Sequence, residues 1–212
     1  VQYNKVLNQR NTLLKRWTNK NNDMLSIYDK QLSNYGKVIT NFRNKYIKIL
    51  NQKGKIIHND ITSGVEKIEF KYITSIKNLN KTEENLLDNL KNNRKNDIDR
   101  GSTSCGPHRD DFNVSINGID VRNFGSQGQQ RTSVLTLKFA SLEIIKDVIG
   151  EYPVLLLDDV LSELDKNRQR YILSSINKIQ TFITCTGIND IKKYIKDECQ
   201  LFKVSSGSVV KV

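Results

Sequence analysis

The run Val154-Leu155-Leu156-Leu157, followed at once by Asp158-Asp159, constrains the fold more than any other stretch. A continuous apolar segment ending in two carboxylates is the pattern of a central parallel strand buried on both faces. A helical pattern from about Asp165 to Lys178 and an apolar strand around Phe182-Ile183-Thr184 come next. Strand, helix, strand implies a right-handed crossover, so this part of the chain is expected to be α/β. In open α/β sheets ligands bind beyond the carboxyl ends of strands, which suits a metal–nucleotide site here. Asp158 would hold Mg²⁺ through water, and Asp159 would orient or deprotonate an attacking water. The competing reading is structural: an Asp leaving a strand also caps the next element.

Two further clusters flank that strand. Ser126-Gln127-Gly128-Gln129 has the residues of a phosphate-binding helix start: a hydroxyl at the N-cap, a Gly permitting close backbone approach, and free N–H groups at the positive end of the dipole. Ser126 with Gln129 also matches a capping box, so the same residues could simply start a helix carrying Val134, Leu135, Leu137, Leu142, Ile145 and Val148. Beyond Asp159, Ser162-Glu163-Leu164-Asp165 ends in an Asp placed to cap the following helix. Earlier, Phe112, Val114 and Ile116 alternate before Asn117-Gly118, a strong type I′ hairpin signal, and Ile119 with Val121 returns. Cys199 to Val204 and Val209 to Val212, joined near Ser206-Gly207, read as a closing hairpin.

The first hundred residues are of another kind. Apolar residues from Met24 to Leu50, including Val38, Phe42 and Tyr46, recur at steps of three and four and predict one long amphipathic helix. Val6, Leu7, Leu13, Leu14 and Trp17 predict a second, with a turn at Asn19 to Asp23, and together they form an antiparallel arm. Lys67 to Tyr72 alternates as a strand does, and Asn80 with Glu83 resembles a capping box for a helix through Leu86, Leu87 and Leu90. Residues 1–100 hold 20 Lys plus Arg against 10 acids, and the remainder 14 against 13. That asymmetry points to a polyanion on the N-terminal half, the bland alternative being a solvated basic surface. Lys37, Arg43, Lys45 and Lys48, opposite the Val38, Phe42, Tyr46 stripe, are the candidates to track the phosphates of such a polyanion. Near Arg100-Gly101 the composition shifts, with 8 of 11 Gly and both Pro beyond it, so the expected division is 1–101, a helical arm and lobe, and 102–212, the α/β half.

Composition excludes several classes. At 37% hydrophobic and 27% charged with 2 Pro, the chain is too apolar and too poor in breakers to be disordered. No stretch has the apolar length of a membrane span or signal peptide, and three cysteines without CxxC or CxxH spacing argue against a disulfide framework or structural zinc. A cytoplasmic location is the expectation. The start without Met, in the middle of a helical pattern, suggests a piece of something longer. His58 reads as an incidental surface histidine; His108 and Arg109 have two readings, a role in a DNA- or nucleotide-linked site and, favoured, a structural ion network of Arg109 with Asp110 and Asp111.

Cys105-Gly106-Pro107-His108-Arg109-Asp110-Asp111, then Phe124 to Arg131, then Leu155 to Asp165, resemble the RecF family of ABC-type ATPases in DNA replication and repair. Gln9-Arg10-Asn11 followed by two Leu is similar as well. The resemblance implies a partial ABC head with its Walker B half, Ser126 to Gln129 as the signature acting on a partner subunit's nucleotide, and Ser162 and Asp165 as the D-loop. It also implies ATP and Mg²⁺ as cofactors, an ATP-dependent homodimer, duplex DNA, and RecR and RecO as partners. Gln127 and Asp159 depart from the standard LSGGQ and Asp-Glu patterns, and no GxxxxGK[ST] occurs, so the fragment alone is expected not to hold ATP tightly. The rival readings are a non-enzymatic basic helical module that binds DNA or protein, and the head of another SMC or ABC-type ATPase.

Overall fold

The computed structural model describes residues 1–161, 164–186 and 199–212. Helix α1 (Gln2–Lys15) leads through a 3-10 turn at Asn19–Asn21 into the long helix α2 (Asn22–Thr62). The turn lies where the sequence places it, and α2 folds back so that Asp29 meets Arg10. Helix α2 continues beyond Leu50 because Ile57 and Ile61 extend its buried face.

That buried face is not the one the apolar spacing indicates. Val38 and Phe42 are 65% and 71% exposed, whereas Asp29, Ser33, Gly36 and Thr40 are buried. The reason is close approach and charge. A Cβ on Gly36 would lie 2.9 Å from Leu86 Cδ1 and 3.4 Å from the Pro107 ring, so only a small residue admits these neighbours. Asp29 must turn inward because Arg10 is there.

Arg10 is fully enclosed. Its Nε donates to Asp29 Oδ1 at 2.8 Å, and its Nη1 donates to Asp97 Oδ2 and to Thr103 Oγ1, each at 2.8 Å. Arg94 donates to the other Asp29 oxygen at 2.7 Å. One guanidinium thus joins α1, α2, α4 (Arg94–Arg100) and the loop that follows it. Helix α3 (Thr82–Asn92) buries Leu86 and Leu90, but the Asn80–Glu83 box does not form: Asn78 caps the preceding 3-10 turn instead, and α3 starts without a side-chain cap.

Strand β1 (Ile68–Ile73) pairs antiparallel with β2 (Asp111–Ile116), which pairs with β3 (Ile119–Asp120). The register Ile68↔Ile116, Phe70↔Val114 and Tyr72↔Phe112 gathers apolar side chains on one face. Asn117 at φ 51° and Gly118 at φ 82° make the expected primed turn. Val121 does not extend β3; it opens the short helix α5 (Val121–Phe124), capped by Asp120. Helix α6 (Gln127–Ile149) then packs against α2, and the main core combines Leu50, Ile57, Phe70, Phe139, Leu157 and Ile172.

Strand β4 (Leu155–Asp158) pairs parallel with β5 (Thr181–Thr184), and α7 (Lys166–Ser175) connects them. The strand is buried on one face only: Leu157 is enclosed, while Leu156 is 72% and its neighbour Phe182 60% exposed. Within this chain α6 and α7 residues fill one face, and the described residues do not supply the cover expected on the other. A hairpin of β6 (Phe202–Ser205) and β7 (Ser208–Lys211) closes the chain.

Removing one partner of a buried ion cluster leaves the others uncompensated, so Arg10→Ala is expected to cost about 3–5 kcal/mol of unfolding free energy. Arg10→Lys should recover only part of it, because an ammonium cannot span Asp29, Asp97 and Thr103 as the fork does. Urea denaturation of the variants checks both.

Candidate nucleotide site and signature helix

The backbone at the end of β4 is unusual. Asp158 ends the strand and Asp159 follows at φ 49°, the left-handed region, which Asp tolerates better than most residues. Thr184, at the end of β5, ties the two together: its hydroxyl donates to Asp158 Oδ1, and its Oγ1 accepts the Asp159 N–H at 3.0 Å. Both Asp residues are exposed and line a cleft of about 650 Å³ with Gln130, Arg131 and Lys138 of α6. Among the described residues no group of three or more His, Cys, Asp or Glu could hold a metal by itself. Asp158 nevertheless fits a hard cation, as an exposed carboxylate oriented by a hydroxyl, provided phosphate and water complete the oxygen shell.

Ser126 caps α6. Its Oγ accepts the Gln129 N–H at 3.2 Å, and Gln129 Oε1 accepts the Ser126 N–H at 3.1 Å, so the capping box is complete. Gln127 and Gly128 form the first turn, and Ser126 and Gln127 are exposed. Asp165 caps α7, accepting the N–H groups of Asn167 and Arg168 at 3.0 Å each. Partial burial works against its ionisation. The Arg168 N–H and guanidinium outweigh that and hold the carboxyl below its ordinary range. Ser162, the other D-loop residue, lies outside the described residues.

Two residues near this site escaped the sequence reading, and a third, His58, was read wrongly. Arg168 donates to Asp165 at 2.6 Å, and its Nη1 lies 3.6 Å from where a Cβ on Gly128 would sit, so α7 delivers a cation to the first turn of α6. Glu66 accepts from Gln129 Nε2 at 3.0 Å. His58 is not a surface residue: it is fully buried, its Nε2 3.4 Å from Glu66 Oε2 and its Nδ1 2.9 Å from the Thr136 hydroxyl. Burial lowers its pKa and the charge of Glu66 opposes the shift. Periodicity gives no signal for such a contact, because Glu66 lies in the corner after α2.

The other candidates divide. Arg109 donates to the Thr103 carbonyl at 3.3 Å, not to the carboxylates beside it, and Tyr72 donates to Asp110 instead. His108 is a neutral spacer: Nε2–H donates to Thr103 O at 3.1 Å, and Nδ1 accepts from Tyr3 at 2.8 Å. Gly106, at φ 118°, is required there, since a Cβ would come within 2.6 Å of the Tyr3 hydroxyl. On α2, Lys45 and Lys48 are exposed, but Lys37 pairs with Glu83 at 3.1 Å and Arg43 donates to the Pro107 carbonyl. The four basic residues therefore do not form one free row, because the helix is rotated from the face its apolar spacing suggests.

The solved structures decide the family. The chain superposes over its whole length on the recombination mediator RecF bound to ATP in the RecFOR pathway, with a TM-score of 0.84 and 40% identity, and on a second RecF structure described with ATPrS, with 0.85 and 41%. It belongs to the RecF family. Curated DNA replication and repair proteins RecF agree: that of Clostridium kluyveri is 67% identical over 214 residues, one from Clostridium botulinum 64% over 213, and that of Clostridium acetobutylicum 57% over 209. The chain spans 58% of the length of these relatives and 57% of each solved chain, matching their C-terminal part. No protein-family model matches it. Among the described residues no helix is long and apolar enough to cross a membrane.

The two histidines set a pH dependence. Burial holds both His58 and His108 below the ordinary value of 6.5, so the unfolded chain takes up protons first on acidification. Their contribution to stability is complete above that value and is lost as pH falls through and below it. Urea midpoints measured from pH 8 to pH 5 should decline over that window, and less steeply in His58→Gln.

Proposed function

We propose that the chain is the C-terminal part of a RecF-type DNA-repair ATPase that binds DNA and dimerises when ATP is bound. Its Walker B carboxylates serve the nucleotide of their own subunit, and its signature serves the partner's. The observation that carries this reading is the pairing of Asp158 and Asp159 at the carboxyl end of β4 in one cleft with α6, whose first turn is exposed and held by a complete capping box. In this reading Asp158 holds Mg²⁺, which would neutralise phosphate charge, and Asp159 orients the attacking water. The Ser126 hydroxyl and the N–H groups of Gln127 and Gly128 are offered to a γ-phosphate across the dimer, Gln129 holds the turn through the capping box, and Asp165 serves in the D-loop with Ser162, as the family resemblance implies. The phosphate cradle, absent from this sequence, would come from the remainder of the full-length protein, so this part alone is not expected to bind ATP tightly.

The division near residue 101 becomes functional in the same reading, with a DNA-facing arm before it and the nucleotide-facing half after it. RecR, RecO and a cytoplasmic location follow from the family resemblance. The decisive experiment is Ser126→Arg in the full-length protein, which puts bulk and positive charge where the partner's nucleotide docks. ATP-dependent dimers should disappear in the ultracentrifuge while monomers still bind ATP; normal dimers would remove the trans-acting signature.

DNA binding should be electrostatic and should rest on Lys45 and Lys48 more than on the engaged Lys37 and Arg43. Replacing Lys45 and Lys48 by Glu should weaken binding to all duplex sequences alike and reduce the salt slope by about one unit for each phosphate no longer neutralised. Fluorescence anisotropy at several salt concentrations measures both.

A further inference from the structure

One signature side chain is held from outside its own helix. Gln129 uses both ends of its amide: Oε1 accepts the Ser126 N–H at 3.1 Å, and Nε2 donates to Glu66 Oε1 at 3.0 Å. The carboxylate therefore determines which way the amide faces, since a flipped Gln129 would present oxygen to oxygen and NH₂ to N–H. Glu66 is itself fixed by the turn that ends α2, where Ser63 and Gly64 take φ 52° and 78°. Its second oxygen is sealed from solvent, makes no hydrogen bond and faces His58 Nε2 at 3.4 Å. A half-buried carboxylate with one incompletely satisfied oxygen is costly to keep. A glutamine would give Gln129 the same acceptor, so the acceptor oxygen and not the charge is what orients the amide.

Resting on the reading above, we infer that Glu66 is a positioning residue for the signature: by orienting the Gln129 amide it keeps Ser126 and the first turn of α6 in the geometry that receives the partner's nucleotide. His58, on α2, backs the carboxylate, and Thr136 of α6 backs His58. The line Thr136, His58, Glu66, Gln129 begins and ends on α6 and passes through α2, so the basic helix and the signature turn share one polar connection. Without Glu66 the capping box can keep its two internal bonds and α6 still starts at Gln127, but the amide is then held at its oxygen end alone, by the Ser126 N–H.

The test uses the full-length protein carrying this chain. Glu66→Ala should weaken ATP-dependent dimerisation by about ten-fold, the scale of one hydrogen bond to a charged group, while ATP affinity of the monomer is unchanged. Glu66→Met, which has similar length and no acceptor, should behave as Ala does and serves if the Ala variant fails to fold. Glu66→Gln, which keeps an acceptor for Gln129, should restore dimerisation to within about two-fold. In a double-mutant cycle, Glu66→Ala combined with Gln129→Ala should be no worse than Gln129→Ala alone, an outcome that a merely structural role would not give. Dimers at parental affinity in both Ala and Met variants, or effects that multiply in the double variant, would overturn the inference. If Ser126→Arg abolishes dimers while these variants leave them intact, Glu66 alone is wrongly assigned; if Ser126→Arg dimers also form normally, the signature reading falls with it.

Discussion

The buried Arg10 guanidinium is the interaction on which the first half of the structure depends. A fully enclosed cation is tolerated only where anions and hydroxyls replace water, and Asp29, Asp97 and Thr103 supply them from three separate segments. Those segments cannot move independently. Asp29 fixes the rotation of α2 and Asp97 the end of α4, while Thr103 starts the loop whose carbonyl then receives His108 and Arg109. The Gly106 to Asp111 string therefore works here as an anchored corner, not as a free ionic surface. With Arg94 included, the charges balance within the cluster, which is why it can be sealed.

Rotation of α2 has consequences along its whole length. Turning Asp29, Gly36 and Thr40 inward sends Val38 and Phe42 outward and commits Lys37 and Arg43 to local partners. Further along, the same rotation buries Ile57, His58 and Ile61 against the sheet and α6. Thus one helix carries the exposed Lys45 and Lys48 near its middle and, through His58 near its C-terminal end, touches Glu66, which supports the first turn of α6.

The sequence was legible where local chemistry decides. The capping box at Ser126, the Asp165 cap, the Asn117-Gly118 turn and the strand Leu155 to Asp158 each follow from a few neighbouring residues, and the structure has each of them. It misled where long-range polar contacts override apolar periodicity. A helix whose buried face includes Asp29, Ser33 and Thr40 cannot be oriented by counting Val, Ile and Phe, because the partner that makes Asp29 an interior residue lies on α1. His58 failed for the same reason: its environment is made by Glu66 and Thr136, neither adjacent in sequence. The Asn80–Glu83 box shows the reverse error, a correct pattern displaced by Asn78, which caps the turn two residues earlier.

Asp159, where ABC heads more often place Glu, has a local physical reason in the backbone. The residue sits in the left-handed region and returns its N–H to Thr184, so the chain turns sharply as it leaves the strand. Left-handed backbone is costly for side chains with a long aliphatic stem and cheaper for Asp and Asn, whose short polar group can bond locally. A Glu here would carry that strain and an extra rotatable bond in an exposed cleft. The Asp carboxylate stands one carbon nearer the backbone than that of Glu, and its reach toward any water is correspondingly limited. Reach and strain thus work in opposite directions at this residue, and Asp gives the less strained turn at the expense of reach.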